Sequence, residues 1–181
     1  MGTLYALMFR RYGEFKPLIM EPVMISPTDK IHLRRCIELA EEALAAGDEP
    51  FGSVLVSAKN EVLAEDRNRI ADGDSTRHPE FALARWAAEN LTPDERQAAC
   101  VYTSGEHCPM CAAAHGWVGL GRIVYVSSSE QLGRWLDEWG VAPPPVATLA
   151  IQQVVPKLQV DGPWLEMESK MQSLHWRCHH S

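Results

Sequence analysis

Four residues in two short segments have the types and spacing of a catalytic metal site. Cys108 and Cys111 are separated by two residues, so a single helical turn can bring both thiolates to one metal ion. His78 lies thirty residues before Cys108 and can supply a third ligand, and Glu80 follows it two positions later. Three protein ligands leave the fourth position of a tetrahedral zinc ion for water, which is the arrangement of a catalytic zinc site.

A closed, purely structural zinc site is the alternative interpretation of the same residues. It requires a fourth protein ligand, and His107 and His115, which flank the CxxC segment, are the candidates. Glu80 favours the enzyme, because a carboxylate that lies beside the metal without binding it can take a proton from an attacking water molecule.

Composition limits the class of protein. The chain has 181 residues, enough for one domain with a buried core, and it contains no apolar run of 18 residues that could span a membrane. The sequence shows no targeting signal, so we expect a cytoplasmic protein. Its odd number of cysteines, five, includes a CxxC pair, which favours metal binding or catalysis over a disulfide framework. The net charge of -7 and the scattered basic residues make a nucleic-acid substrate less favoured.

Helical and strand patterns alternate through the middle of the chain. Residues 1–27 contain three prolines and no sustained period, so we expect a loosely ordered N-terminal arm, followed by a single domain over residues 28–181. The predicted helices are 28–46, 79–90, 109–118, 129–139 and 164–176, and the predicted strands are 51–56, 62–65, 99–103, 122–126 and 151–155. This order predicts an α/β fold, a three-layer α/β/α sandwich around a central mixed sheet of about five strands.

The predicted metal ligands fall at the starts of two helices. Pro79 and Pro109 suit the first helical turn, so His78 and Cys108 lie at the two N-termini. Backbone N–H groups at a helix N-terminus stabilise anions such as thiolates. Two helix N-termini at one end of the sheet would bring His78, Cys108 and Cys111 together.

These motifs, in this order, resemble the cytidine deaminase-like superfamily, and within it the branch of guanine deaminases and tRNA adenosine deaminases. The resemblance covers residues 28–127 and rests on the segments 50–56, 74–80 and 102–111 with Asn68. It implies Zn²⁺ as the cofactor, with His78, Cys108 and Cys111 as its ligands. It also implies that Glu80 is the proton shuttle. The substrate contacts that we expect are Asn68, Phe51, Pro79, His107, Trp117 and Trp176.

The implied activity is hydrolytic deamination of an amino-substituted nucleobase or nucleoside by a homodimer. A guanine-like purine is the favoured substrate, and tRNA adenosine, cytosine and cytidine are the alternatives. A different class, a catalytically silent binding subunit that keeps the zinc only for stability, is the remaining alternative. Such relatives often lose the glutamate, whereas this chain retains Glu80.

Several of these substrate contacts have a second interpretation. His107 replaces the proline that usually precedes the first metal cysteine, and we expect an outward-facing loop residue there, with a substrate contact as the alternative. Pro79 occupies a position where alanine or glycine is commoner. Trp117 lines the pocket or packs in the core. His175 and Trp176 either close over the pocket or belong to a frayed terminus.

Overall fold

A five-stranded sheet lies at the centre of the structure, a computed structural model that describes residues 25–180. The strands are β1 (Gly52–Val56), β2 (Val62–Arg67), β3 (Cys100–Gly105), β4 (Ile123–Ser127) and β5 (Val160–Asp161), in the spatial order β2-β1-β3-β4-β5. Strand β1 is antiparallel to both β2 and β3, whereas β3, β4 and β5 are parallel. The prediction of a mixed sheet of about five strands is therefore confirmed.

Seven α-helices and two short 3₁₀ turns surround the sheet in the described part of the chain. The helices are α1 (Pro27–Ala45), α2 (Pro79–Asn90), α3 (Pro93–Ala98), α4 (Pro109–Val118), α5 (Ser129–Glu138), α6 (Ile151–Val154) and α7 (Glu168–His180), and the 3₁₀ turns are Ile70–Asp72 and Leu165–Met167. Four of the helices, α1 to α4, begin with proline, whose missing N–H group costs nothing in the first turn. Reciprocal capping boxes fix the starts of α1, α3 and α5.

Two apolar cores lie on opposite faces of the sheet. Successive strand residues point to opposite faces, so Val54 packs with α1, α5 and α7 while Leu55 packs with α2 and α4. The first core centres on Leu33, Val54, Tyr102, Val124, Trp135 and Leu174. The second core centres on Leu55, Leu83, Ala87, Val101 and Leu120. Helices therefore cover both faces, which confirms the three-layer α/β/α sandwich.

The predicted strand over residues 151–155 is wrong. Ile151–Val154 forms helix α6, and the fifth strand is the two-residue β5 further along the chain. The backbone N–H of Ile151 donates to Glu106 at 2.8 Å, and the Gln153 side chain accepts from the Ala150 N–H at 2.9 Å. A short β-branched apolar run does not distinguish a buried strand from a buried helical turn, and these caps determine which one forms.

The structure tests the prediction for the C-terminal end of the chain but describes little of the predicted N-terminal arm. The expected N-terminal arm lies outside the described residues except for its last three, among which Ser26 caps α1 and Pro27 begins it. The expected fraying of the C-terminus is wrong, because α7 continues to His180. The single domain over 28–181 stays a prediction. Within residues 25–180, no helix is long and apolar enough to cross a membrane.

Candidate active site

The three predicted metal ligands lie where helices α2 and α4 begin. His78 is the N-cap of α2 and Cys108 is the N-cap of α4, each followed by a proline, and Cys111 lies one turn further along α4. The two helices pack beside each other on one face of the sheet. Strands β2 and β3 end at this edge and β1 begins there, as the pairing of Ser53 with Thr103 shows. The sheet topology therefore brings the segments after β2 and β3 and the segment before β1 to the same edge of the sheet.

The ligand atoms form an equilateral triangle. The distances between His78 Nδ1, Cys108 Sγ and Cys111 Sγ are all 3.6 Å. Zinc–sulfur bonds of ~2.3 Å and a zinc–nitrogen bond of ~2.0 Å at tetrahedral angles separate the ligand atoms by about 3.5 to 3.8 Å. The triangle therefore has the dimensions of three ligands on one tetrahedral zinc ion. Among the residues described, these three form the cluster of potential ligands, and a fourth protein ligand is absent from it.

The protonation chemistry of the triangle also fits a cation. The hydrogen bond between the two thiols lowers the pKa of Cys108 and raises the pKa of Cys111, so it favours a single thiolate at Cys108; burial opposes the lowering and a hydrogen bond from His78 adds to it. The Cys108 hydrogen bond in turn raises the pKa of His78. The N-terminus of α4 stabilises a thiolate at Cys108, and a cation beside it would stabilise the thiolate further. The donor set, two sulfurs and one imidazole nitrogen, is one that zinc prefers.

Glu80 lies beside the triangle without belonging to it. Its side chain is 6% exposed, and the hydroxyls of Ser53 and Thr103 both donate to its Oε1 at 2.9 Å. Burial raises the pKa of Glu80, and the charge of His78 and these hydroxyl groups act in the opposite direction. Both of these hydroxyl hydrogen bonds are made to Oε1, which leaves the second oxygen, Oε2, free of them. This oxygen is therefore the one that can exchange a proton with a substrate or a water molecule.

Asn68 follows strand β2 at the same edge of the sheet. Its side chain is fully buried, its Oδ1 accepts from the Ile70 N–H at 3.0 Å, and its Nδ2 has no hydrogen-bond partner among the described residues. The Asn68 N–H donates to the carbonyl of Phe51 at 2.9 Å. A Cβ atom at Gly105 would lie 2.7 Å from the Phe51 ring, so the glycine allows this ring to pack closely against the end of β3. The structure thus brings Asn68 and Phe51 together.

The outward-facing position expected for His107 is wrong. His107 is 1% exposed, and its ring lies 5.3 Å from that of His115, centroid to centroid, in an edge-to-face arrangement. Burial lowers the pKa of His107 well below its ordinary value. His115 uses its Nε2 to donate to the Gly121 carbonyl at 2.8 Å. His107 immediately precedes the N-cap of α4, and its ring packs against His115 on the buried side of this helix. Neither histidine joins the ligand triangle.

The other residues predicted to contact the substrate differ in how far they are buried. Pro79 is buried in the first turn of α2, between His78 and Glu80. Trp117 lies on α4 with 90% of its side chain exposed, and Trp176 lies on α7, stacked on His180 and 48% exposed. His175, one residue before Trp176, is the inward-facing member of this pair. Its ring contacts Phe51 with a centroid distance of 5.1 Å.

Sequence reasoning did not assign roles to three polar residues of this site. Ser53 and Thr103 donate hydrogen bonds to Glu80. The sequence could have indicated both, because they are polar residues in otherwise apolar strands. Glu106 accepts the N–H groups of Ser129 and Ile151, each at 2.8 Å, and so joins the starts of α5 and α6 to the end of β3. The two partners of Glu106 lie 23 and 45 residues away, and sequence spacing does not reveal such contacts.

Comparison with known proteins agrees with this geometry. The family model for the cytidine and deoxycytidylate deaminase zinc-binding region matches residues 26–127. A probable cytosine deaminase of Schizosaccharomyces pombe is 29% identical over 83% of this chain and 93% of its own length. The guanine deaminase of Bacillus subtilis is 34% identical over 52% of this chain and 62% of its own length.

A solved structure supports the fold alone. The guanine deaminase of Nitrosomonas europaea superposes with a TM-score of 0.63 over 90% of each chain, at 21% identity. The matched family model includes all three ligand positions and Glu80, and it covers more than half of the sequence. This chain therefore belongs to the zinc-binding cytidine and deoxycytidylate deaminase family.

Proposed function

We propose that this protein is a zinc-dependent aminohydrolase that releases ammonia from an amino-substituted nucleobase or nucleoside. The reaction replaces the exocyclic amine of a cyclic amidine by the oxygen of water. His78, Cys108 and Cys111 hold the zinc ion, and Glu80 moves the protons. A guanine-like purine is the first candidate substrate.

The observation that carries this proposal is the position of Glu80. A purely structural zinc site does not require a buried carboxylate that is not a ligand. Glu80 is such a group, because it lies beside the three ligand atoms and accepts hydrogen bonds from two hydroxyls. Burying a carboxylate is costly, so its retention here favours a chemical role. Burial raises the pKa of Glu80, which makes this carboxylate a stronger proton acceptor than a free one.

The chemistry follows from the groups present. When bound, zinc acts as a Lewis acid that makes water a better nucleophile near neutral pH. Oε2 of Glu80 takes a proton from the attacking water as its oxygen bonds to the ring carbon that bears the amine. Glu80 then protonates the ring nitrogen, takes the remaining proton of the added hydroxyl group and passes it to the amine as the carbon–nitrogen bond breaks and the ring carbonyl forms. Water and the amino heterocycle become the oxo heterocycle and ammonia, so atoms balance.

Asn68 and Phe51 are the substrate contacts that the geometry supports best. Because Asn68 Oδ1 is already occupied by the Ile70 N–H, its free Nδ2 offers a donor to a carbonyl oxygen or an unprotonated ring nitrogen. The Phe51 ring offers an apolar surface for a flat heterocycle. Pro79 and His107 flank the ligands and belong to the same proposal, whereas the exposed Trp117 and Trp176 are not needed for it.

Charge separates the small-molecule candidates from tRNA. Binding a phosphate backbone relies on clustered basic side chains, and this chain has a net charge of -7 with 17 basic residues against 24 acidic ones. We therefore place tRNA adenosine last. Cytosine is the second candidate, because the relative named a probable cytosine deaminase matches 83% of this chain, more than the guanine deaminase does.

An ammonia-release screen tests the proposal. Zinc-loaded protein is incubated with guanine, cytosine, cytidine, adenosine, an aminotriazine and a tRNA anticodon stem-loop. We expect rapid release from guanine and none from the stem-loop, and release from cytosine alone would support the second candidate. Glu80→Gln should abolish release while the zinc content stays unchanged. Unchanged turnover in Glu80→Gln, or no release from any compound, would overturn the enzyme and leave the silent binding subunit.

A homodimer and a cytoplasmic location complete the proposal. The 90% exposure of Trp117 on the zinc helix supports the dimer, because large aromatic side chains are enriched where protein surfaces associate. Sedimentation equilibrium of the full chain and of Trp117→Ser tests this point. We expect a dimer that weakens in the variant, and a monomeric wild-type chain would contradict it.

A further inference from the structure

We infer that Asp48 and Arg67 are positioning residues that set the orientation of Asn68 for substrate binding. Both lie outside the segments that carry the metal ligands. This inference rests on the proposed function, in which Nδ2 of Asn68 donates to the substrate. The two side chains form an ion pair, with Arg67 Nη1 2.7 Å from Asp48 Oδ2.

Asp48 connects three parts of the fold. It follows the end of α1, where its N–H donates to the Ala43 carbonyl at 3.0 Å, and the residue is buried. Its Oδ2 accepts from Arg67, the last residue of β2, and its Oδ1 accepts from the Ala71 N–H at 2.8 Å. One carboxylate thus fixes both sides of the bend that contains Asn68.

Arg67 acts directly on the backbone of Asn68. The same nitrogen that pairs with Asp48, Nη1, also donates to the Asn68 carbonyl at 2.9 Å. Lysine would carry its charge on a single rotatable ammonium group, but the planar guanidinium presents its donors in a fixed geometry. The ion pair is largely removed from water, with side-chain exposures of 20% and 6%, so solvent screens it less than a surface pair.

Every polar group of Asn68 except one is then occupied. Its N–H donates to Phe51, its carbonyl accepts from Arg67, and its Oδ1 accepts from the Ile70 N–H. Only Nδ2 has no partner in the described structure, in a side chain that is fully buried. An unpaired buried donor is costly, and a substrate acceptor relieves that cost on binding. The Asp48–Arg67 pair therefore fixes the backbone around Asn68 and Ala71, and with it the Ile70 N–H that holds Oδ1 of the amide.

The test compares two ion pairs at the same end of the hairpin. Asp48→Asn and Arg67→Met disrupt the buried pair, whereas Asp66→Asn and Arg69→Met disrupt the neighbouring pair, whose Arg69 is 43% exposed. Guanine and cytosine serve as the probes with zinc-loaded full-length protein. We expect the KM to rise by about tenfold in Asp48→Asn and Arg67→Met, with kcat changed by less than about threefold. Asp66→Asn and Arg69→Met should match the wild type.

A double variant separates positioning from general destabilisation. If Asp48 acts through Asn68, then Asp48→Asn combined with Asn68→Ala should raise the KM no further than Asn68→Ala alone. Arg67→Lys should recover part of the affinity. Multiplicative losses in the double variant, or a wild-type KM in Asp48→Asn, would overturn the inference.

Amide hydrogen exchange provides a readout that does not depend on activity. In zinc-loaded Asp48→Asn, the N–H groups of Ile70 and Ala71 should exchange faster than in the wild type, while those of β3 keep their protection. Unchanged exchange at Ile70 and Ala71 would overturn the inference even if the protein deaminates guanine. An absence of ammonia release from wild-type protein with faster exchange in Asp48→Asn would instead count only against the proposed function.

Discussion

Ser53 and Thr103 are paired across β1 and β3, and both of their hydroxyl oxygens lie 2.9 Å from the same carboxylate oxygen of Glu80. The antiparallel register places these two hydroxyls on the face of the sheet that α2 covers. The proton-transfer group of the proposed reaction is therefore held by the sheet, although it belongs to a helix.

Removal of these hydroxyls should shift the pH dependence of deamination. Hydrogen bonds to a carboxylate lower its pKa, so Ser53→Ala or Thr103→Val should raise the already elevated pKa of Glu80 further. Because Glu80 must be ionised to accept the first proton, the acid limb of kcat/KM against pH should move to higher pH. The measurement is an ammonia-release profile at constant ionic strength.

Ser127→Ala is the matched control for this shift. Its hydroxyl is also buried at the end of a strand, but it donates to the Ser104 carbonyl at 3.0 Å and not to Glu80. The acid limb of this variant should coincide with that of the wild type. A limb that stays in place in Ser53→Ala and Thr103→Val would contradict the role of both hydroxyls.

Loss of one ligand should remove the metal. Cys111→Ala leaves two ligands, and we expect the zinc content to fall from one ion per chain to near zero, with a loss of at least ~10³-fold in ammonia release. Zinc should also stop raising the thermal midpoint of this variant, since stabilisation by a ligand requires binding to the folded state. Atomic absorption and calorimetry measure both effects.

Cys100→Ala provides the comparison for thiol loss. Cys100 begins β3 and is free, so this variant should keep its zinc and its activity. Equal zinc content in Cys111→Ala and the wild type would show that the triangle is not the metal site.

His175 should make the folded state sensitive to mild acid. Burial, with a smaller effect from His179, lowers the pKa of His175 to about 3, against 6.5 for an unperturbed imidazole. As the pH falls below 6.5, the unfolded chain binds a proton that the folded protein does not, so the free energy of unfolding decreases until about pH 3. Between pH 6.5 and 5.5 this single group should cost about 1 kcal/mol.

Replacement of the imidazole isolates that contribution. The free energy of unfolding is measured by urea unfolding at saturating zinc. Between pH 6.5 and 5.5, it should fall by about 1 kcal/mol less in His175→Phe than in the wild type. His180→Gln, an exposed change on the same helix, should follow the wild-type slope. Parallel slopes for wild type and His175→Phe would show that His175 is not held neutral.

Asp29 and Arg122 should matter for stability and not for catalysis. Arg122 Nη1 lies 2.7 Å from Asp29 Oδ1, which also accepts the Tyr102 hydroxyl at 2.8 Å. Burial acts to raise the pKa of Asp29, but these donors together with Ser26 lower it well below its ordinary range. Arg122→Met leaves a 4%-exposed carboxylate unpaired, so we expect a loss of roughly 3–5 kcal/mol in the free energy of unfolding.

Urea unfolding at pH 7 measures this loss against Arg134→Met. Arg134 pairs with Glu168 at 3.0 Å but is 54% exposed, so its loss should cost less than about 1 kcal/mol. The acid dependence provides a further check. The contribution of Asp29 is present above the pKa of a free carboxyl and decreases as the pH falls through the lowered folded pKa. Similar losses in both variants would contradict a special role for the buried pair.

Local sequence determined the chemistry of the site. The CxxC spacing, the HxE spacing and the proline after each cap all act within one helical turn, so their geometry follows from the helix itself. The alternation of elements and the apolar periods determined the three layers and four of the five strands, because burial of an amphipathic face requires only the pattern of that segment.

Contacts between distant segments decided the rest. Ile151–Val154 is a helix because Glu106 caps it from 45 residues away. His107 is buried because α4 packs against the sheet, and the neighbours of position 107 in the chain do not report that packing. Asn68 has a free Nδ2 because Asp48 and Arg67 converge on its loop. Such contacts depend on which surfaces meet after folding, so only the tertiary structure could reveal them, whereas the ligands and their order were already present in the sequence.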